Sequence, residues 1–152
     1  MAPATLYAHS PMPHGESALA RTNASDEVNM RARRCSILVI EDDDDTREML
    51  GMTLEEEGYH VILMEHGSAA LRYLRDNPPP CCILLDVWMP VMGGLSFRMA
   101  QRRNPSIAAI PVIVLSAHRR GSHLLAELEV AAYLEKPFTP DQILTLLKQV
   151  GC

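Results

Sequence analysis

The sequence predicts one α/β domain over residues 35–152: a doubly wound sheet of five parallel strands with helices on both faces. Three observations predict it. Five short apolar, strand-like segments alternate with helix-patterned segments between Cys35 and Cys152, and repeated βα units fold into a parallel sheet whose right-handed crossovers place helices on both sides. The apolar runs are continuous, most clearly Cys81 to Leu85, as strands covered on both faces require. Four of them end on chemically active side chains: Ile37 to Ile40 runs into Glu41 and Asp42, Cys82 to Leu85 into Asp86, Val112 to Leu115 into Ser116, and Ala132 to Leu134 into Lys136. In an open parallel sheet those carboxyl ends share one edge, and ligands bind in the crevice beyond it.

Each element has its own signal. After the first strand, Ile37 to Ile40, Asp45 with Glu48 three residues on resembles a capping box. Met49, Leu50, Thr53 and Leu54 then keep helical spacing until Gly58 supplies a stop. Tyr59 to Met64 reads as the second strand. Ser68 is expected to cap a helix carrying Leu71 and Leu74, ending at Asn77 because Pro78-Pro79-Pro80 cannot continue it. Cys81 to Leu85 is the expected central strand, followed by a third helix from Gly94 to Arg103 and a fourth strand from Val112 to Leu115. A short fourth helix is expected over Ser122 to Glu129, and a fifth strand over Ala132 to Leu134. Thr139 caps a last helix whose inward stripe is Ile143, Leu146, Leu147 and Val150. Periodicity does not fix strand order. An order 2-1-3-4-5 would set the first and third strands together and make Glu41, Asp42 and Asp86 converge.

Residues 1–34 are rich in Pro, Ser, Ala, His and Asn without a sustained period, so a disordered N-terminal tail is expected there. Its Arg31-Ala32-Arg33-Arg34 run is a weak signal for an acidic surface. The chain's formal charge of −5 becomes −6 over residues 35–152, which argues against direct nucleic-acid binding. No uncharged apolar run approaches the roughly 20 residues that cross a bilayer, and the start lacks the pattern of a secretory signal. No membrane contact and a cytoplasmic location are expected. Cys35, Cys81, Cys82 and Cys152 form no Cys-x-x-Cys or Cys/His ladder of a zinc site. Cys35, Cys81 and Cys82, at strand starts, are expected to act as small hydrophobes, not as a disulfide framework. Cys152 is expected to be exposed.

Carboxylates crowded at adjacent strand ends repel one another, and a hard divalent cation relieves that. Mg²⁺ is therefore the expected cofactor, with Asp42 and Asp86 as direct ligands, Glu41 through water, and a backbone carbonyl just after Asp86. Asp43, Asp44 and Asp45 are better read as a solvated helix N-terminus. Asp86 emerges from a buried run, and a carboxylate there can attack a phosphoryl group to form an acyl phosphate. Charge on the transferred group calls for a metal, an ammonium and a hydroxyl around it. Alone, Ser116 would be a turn former and Lys136 a solvated cation; their conjunction with the acids gives them the remaining two roles.

With those residues in view, the chain from Cys35 to Cys152 resembles the receiver domain of two-component response regulators. The matching motifs are Ile37-Leu38-Val39-Ile40-Glu41-Asp42, Leu84-Leu85-Asp86-Val87-Trp88-Met89-Pro90-Val91-Met92-Gly93-Gly94, Val114-Leu115-Ser116-Ala117 and Tyr133-Leu134-Glu135-Lys136-Pro137-Phe138. The resemblance implies a flavodoxin-like (CheY-like) fold of order 2-1-3-4-5. It implies that Asp86 accepts phosphate from a sensor histidine kinase or phosphotransfer protein, and that Glu41, Asp42 and Asp86, with the Trp88 carbonyl, hold Mg²⁺. Ser116 and Lys136 would engage the phosphoryl group, with Lys136-Pro137 cis and Tyr133 at the aromatic switch position. A downstream protein target would dock on the face built by the fourth helix, fifth strand and fifth helix. The protein would be a signalling acceptor, not an enzyme, and most resembles a stand-alone receiver; a fragment of a hybrid kinase is the alternative.

Some positions depart from the family pattern. Gly93 stands where Asp is common, Glu129 where Gly usually precedes the fifth strand, and the stretch from Ser116 to Lys136 is about two residues short, so the fourth helix is expected to be trimmed. Trp88 and His118, each two beyond a site residue, occupy positions that tune the acyl phosphate's lifetime in this family. Two rivals remain. Asp42-Asp43-Asp44-Asp45-Thr46 matches the first motif of haloacid-dehalogenase-like phosphatases, and a pseudo-receiver would bind partners without phosphate.

Overall fold

The computed structural model describes residues 35–117 and 126–152. The elements in chain order are β1 (Ser36–Ile40), α1 (Asp44–Glu56), β2 (His60–Met64), α2 (Gly67–Asp76), β3 (Cys82–Asp86), α3 (Gly94–Arg103), β4 (Val112–Ser116), β5 (Ala132–Glu135) and α4 (Pro140–Gln149). The tail expected at 1–34, His118 and the first part of the helix expected at 122–129 lie outside the described residues. Ala126 and Glu127 are helical and lead into a turn.

All strands pair in parallel, in the order β2-β1-β3-β4-β5. β1, β3 and β4 are buried nearly throughout, which is why their sequences are continuous apolar runs. Alternate residues serve opposite faces. Ile37, Val39, Leu84, Ile113 and Leu115 meet Leu50 and Leu54 of α1 and Ile143 and Leu147 of α4. Leu38, Ile40, Ile83, Leu85 and Val114 meet Ala70 and Leu74 of α2 and Phe97 of α3. Each fully buried aliphatic side chain contributes about 1.5–3 kcal/mol, so this two-sided core fixes the register of the strand ends.

Helix starts differ from the sequence reading at two places. α1 is capped by Asp43, whose side chain accepts from the Thr46 N–H at 2.8 Å, and not by Asp45; the chain turns helical as soon as it clears the sheet edge. α2 is capped by His66, whose Nδ1 accepts from the Ala69 N–H at 3.2 Å while Ser68 Oγ lies 2.8 Å from the same nitrogen. The imidazole thus takes the role expected of Ser68. The Thr139 cap of α4 is present, reinforced by a reciprocal bond with Gln142.

The cysteines need correcting too. Cys35 and Cys81 are joined as a disulfide, with Cα atoms 5.6 Å apart. They lie 46 residues apart in sequence but precede adjacent strands that start together, since Ile37 pairs with Cys82. That proximity comes from the pairing of β1 with β3 and not from the local sequence around either cysteine. Cys152 is half-buried, not exposed, and Cys82 is a buried free thiol.

A buried polar strap joins α3 to the turn before β5. Gln101 is fully buried, donating from Nε2 to the carbonyls of Ile107 (2.9 Å) and Ile110 (3.1 Å) and accepting from Arg98 Nη1 at 2.8 Å. Arg98 also donates to the carbonyls of Leu128 (3.0 Å) and Glu129 (2.7 Å). Glu129 sits at φ 48°, the left-handed conformation that its position in the family pattern suggests. That conformation costs a non-glycine residue about 1–2 kcal/mol, and glycine's extra unfolded-state freedom offsets about 0.5–1 kcal/mol of the relief. The Arg102–Glu129 ion pair at 2.9 Å is exposed and contributes little. Glu129→Gly should therefore raise the thermal midpoint by a few degrees; an unchanged or lower midpoint would refute the strain.

Candidate functional site

The strand order brings the ends of β1, β3, β4 and β5 into one edge. Glu41 follows β1 and is fully buried, while Asp86 closes β3 and is 5 % exposed. Asp42 is exposed. The ligating oxygens of Glu41, Asp42 and Asp86 all lie within 4.8 Å of one another. Lys136, just beyond β5, reaches across with Nζ 2.7 Å from Glu41 Oε2 and 3.6 Å from Asp86 Oδ2. Ser116, buried at the end of β4, is bound to this lysine through the backbone, Lys136 N–H donating to the Ser116 carbonyl at 2.8 Å. The Lys136-Pro137 peptide is cis, as the resemblance implies.

The second oxygens of the two buried acids are also engaged. Glu41 Oε1 accepts the Asp43 N–H at 3.2 Å and Asp86 Oδ1 the Trp88 N–H at 3.2 Å. Burial nevertheless prevails over the ammonium and these bonds, pushing the Glu41 carboxyl up to about 7 and Asp86 above the ordinary carboxylate range. Lys136 is held above its ordinary value: its bond to Glu41 and the nearby charges of Asp86 and Glu41 outweigh the opposing desolvation. The site thus holds more negative charge than one ammonium neutralises. An all-oxygen donor set of this kind fits a hard divalent cation such as Mg²⁺.

Two supports escaped the sequence reading. Arg47 Nη1 donates to the Glu41 carbonyl at 2.9 Å and contacts the Asp42 carbonyl at 3.4 Å, fixing the acidic loop from the first turn of α1. An arginine among first-turn acids was the only signal. Gly94 donates its N–H to the Val87 carbonyl at 3.0 Å, and a Cβ there would collide with the Asp86 carbonyl oxygen and stand 2.8 Å from Val87 Cα. Only glycine lets α3 start this close to the loop after Asp86.

The remaining expected residues divide. Tyr133 lies on β5 paired with Val114, half-buried against the core. The Trp88 side chain is 64 % exposed, although its backbone touches Asp86. Asp43, Asp44 and Asp45 are exposed, as a helix N-terminus should be. Of the phosphatase-like pattern, Asp44 is exposed and pairs with Arg47, and the Thr46 N–H donates to the Asp43 side chain as part of the helix cap.

A family model described as the response regulator receiver domain matches residues 37–148. The chain belongs to the receiver domain family of response regulators. The receiver is 36 % identical over 121 residues to a phosphate regulon transcriptional regulatory protein PhoB of Klebsiella pneumoniae, covering 78 % of this chain and 52 % of that protein. The chain thus spans about half the length of the first such relatives. Among solved structures it is similar to the chemotaxis protein CheY4 of Vibrio cholerae (TM-score 0.71, 28 % identity, 76 % of this chain and 98 % of that one). It is also similar to the response regulator TrrA of Thermotoga maritima, solved in complex with Mg²⁺-BeF (TM-score 0.69, 28 % identity, 76 % and 98 % covered). No helix among the described residues is long and apolar enough to cross a membrane.

The raised Glu41 carboxyl has a signed consequence for stability. Below about pH 4.5 this group is protonated whether the receiver is folded or unfolded. As pH rises toward 7 the unfolded chain ionises freely, while the folded one must ionise a buried group. Glu41's contribution is therefore present in full at low pH and lost as pH rises through about 7. In metal-free buffer, Glu41→Gln should gain stability relative to the parent chain across this window, by up to about 3 kcal/mol. Parallel urea midpoints for the two proteins at all pH values would contradict it.

Proposed function

We propose that this receiver is a phosphorylation-dependent signalling acceptor: Asp86 takes a phosphoryl group from a sensor histidine kinase or phosphotransfer protein. The observation that carries the reading is the convergence of Glu41, Asp42, Asp86 and Lys136 at one sheet edge. A lone carboxylate at the end of a buried strand, ringed by acids and one ammonium, suits phosphoryl capture better than a structural ion pair.

An Asp86 oxygen attacks phosphorus, a P–O bond forms, the P–N bond to the donor histidine breaks, and its electron pair leaves on the imidazole. Glu41, Asp42 and Asp86, with the Trp88 carbonyl, would hold Mg²⁺. The ion supplies charge neutralisation for the transferred group, and the Mg²⁺-BeF complex of the related TrrA supports that choice. Lys136, already between Glu41 and Asp86, moves its ammonium toward the new phosphoryl oxygens, and Ser116 turns its hydroxyl to them. The chain catalyses nothing beyond its own phosphorylation and dephosphorylation.

The readout is a shift of populations. Phosphate adds about −1.5 to −2 charge at Asp86; the Ser116 hydroxyl follows it, and Tyr133, one strand over, turns inward into the space released. Inverting a hundredfold bias fully requires about 5.5 kcal/mol of preference for the active form. A groove between β5 and α4, lined by Tyr133, Leu134, Gln142 and Leu146, offers part of the face on which a downstream protein would dock. The chain's formal charge of −5 favours a protein partner over nucleic acid, and the proposed setting is the cytoplasm.

Acetyl phosphate with Mg²⁺ should add one phosphate to the intact chain, labile to hydroxylamine as an acyl phosphate is, and Asp86→Asn should abolish the gain. No phosphate from either a small donor or a panel of histidine kinases would reject the reading in favour of a phosphate-independent binding module. The Trp88 ring, beside the Asp86 loop, is assigned to shielding the acyl phosphate from water. Trp88→Ala should shorten the phosphorylated lifetime several-fold, and an unchanged lifetime would remove that role; His118 would then be next to test.

A further inference from the structure

The amino edge of the sheet, a strand length of about 17 Å from the acids, gathers sulfur. The sulfurs of Cys35, Cys81 and Cys152 lie within 4.8 Å of one another. Cys35 and Cys81 are paired as the disulfide already described, and Cys152 is brought to it by the end of α4. There Gly151 turns left-handed (φ 93°), its N–H donating to the Lys148 carbonyl at 3.2 Å. The Cys152 N–H donates to the Leu147 carbonyl at 2.9 Å, and Tyr59 Oη donates to the Cys152 carbonyl at 3.4 Å. These bonds hold a free thiol against a disulfide.

We propose that Cys35, Cys81 and Cys152 form a thiol–disulfide exchange site whose external substrate is a low-molecular-weight disulfide. The three positions differ in the way the chemistry needs. Cys35 is buried, Cys81 exposed and Cys152 half-buried, and Cys35 and Cys152 share the same apolar cluster. The Cys152 thiolate attacks the Cys35 sulfur, a Cys35–Cys152 bond forms, the Cys35–Cys81 bond breaks, and the electron pair leaves on Cys81. Water solvates an exposed Cys81 thiolate, whereas attack at Cys81 would expel a thiolate at buried Cys35, where desolvation opposes charge. One S–S bond is exchanged for another, with no net oxidation. The Cys81 thiolate then attacks the small disulfide, forming a mixed disulfide and releasing one small thiolate. Cys82 is buried beside this site, its thiol donating to the Ile83 carbonyl at 3.7 Å; its proximity holds the Cys152 thiol below its ordinary range, while Cys152 and burial push Cys82 up.

The site is independent of Asp86 chemistry, and its test separates the two. The full chain is incubated with oxidised glutathione, quenched in acid, digested without reduction and mapped by mass spectrometry, with fragmentation between Cys81 and Cys82. The expected product carries glutathione on Cys81 together with a Cys35–Cys152 link. It should form faster at pH 8 than at pH 6, and at least tenfold more slowly in Cys152→Ser. Phosphorylation of Asp86 in that variant should match the parent, which also shows that it folds. Glutathione on Cys152 alone with the Cys35–Cys81 link intact, or equal Cys81 labelling in both proteins, would overturn the proposal.

Discussion

Two carboxyl groups sunk into the edge of a hydrophobic sheet, with a single lysine ammonium between them, constrain the rest of this domain. Like charges about 4 Å apart repel by about 4 kcal/mol even at an effective dielectric of 20. Glu41 and Asp86 therefore cannot both ionise comfortably beside Lys136 alone. Either one keeps a proton, as the raised Glu41 carboxyl indicates, or a second cation joins them. The surrounding structure keeps this tension local. Arg47 pins the backbone of the acidic loop, the Trp88 N–H ties Asp86, and Gly94 lets α3 close over the loop beneath.

The hydrophobic core converts sequence distance into that proximity. Because β1 and β3 are neighbours, Ile40 pairs with Leu85 and the next residues, Glu41 and Asp86, leave the sheet side by side. Ser116 and Lys136 follow from β4 and β5 by the same rule. A one-residue slip in any of these strands would turn its active side chain away from the edge. The two-sided burial of β1, β3 and β4 is thus as much a part of the site as the acids.

Most of this was legible in the chain, for identifiable reasons. Strand-terminal residues stand out because an apolar run ends abruptly on a charge, so Glu41, Asp42, Asp86, Ser116 and Lys136 were visible before any coordinates. Strand order came only through the motif resemblance, and the structure has that order; periodicity alone carries no information about which strands are neighbours. The Cys35–Cys81 pair was missed because a thiol at the start of an apolar strand has the pattern of a small hydrophobe whether or not it is bonded. Caps were placed two residues off at Asp43 and His66, where more than one polar residue could serve and the exit angle from the sheet decides. Arg47, Arg98 and Gln101 were missed because their partners are mostly backbone carbonyls, which the sequence does not distinguish.

The central claim is that the buried acids carry charge that a divalent cation must relieve, and proton release on Mg²⁺ binding tests it most directly. Calorimetric titrations at pH 6, in buffers of different ionisation enthalpy, count the protons displaced per ion. With Glu41 raised to about 7, binding should expel most of one proton at that pH and far less in Glu41→Gln. Mg²⁺ binding with no proton displaced from the parent chain would contradict the account.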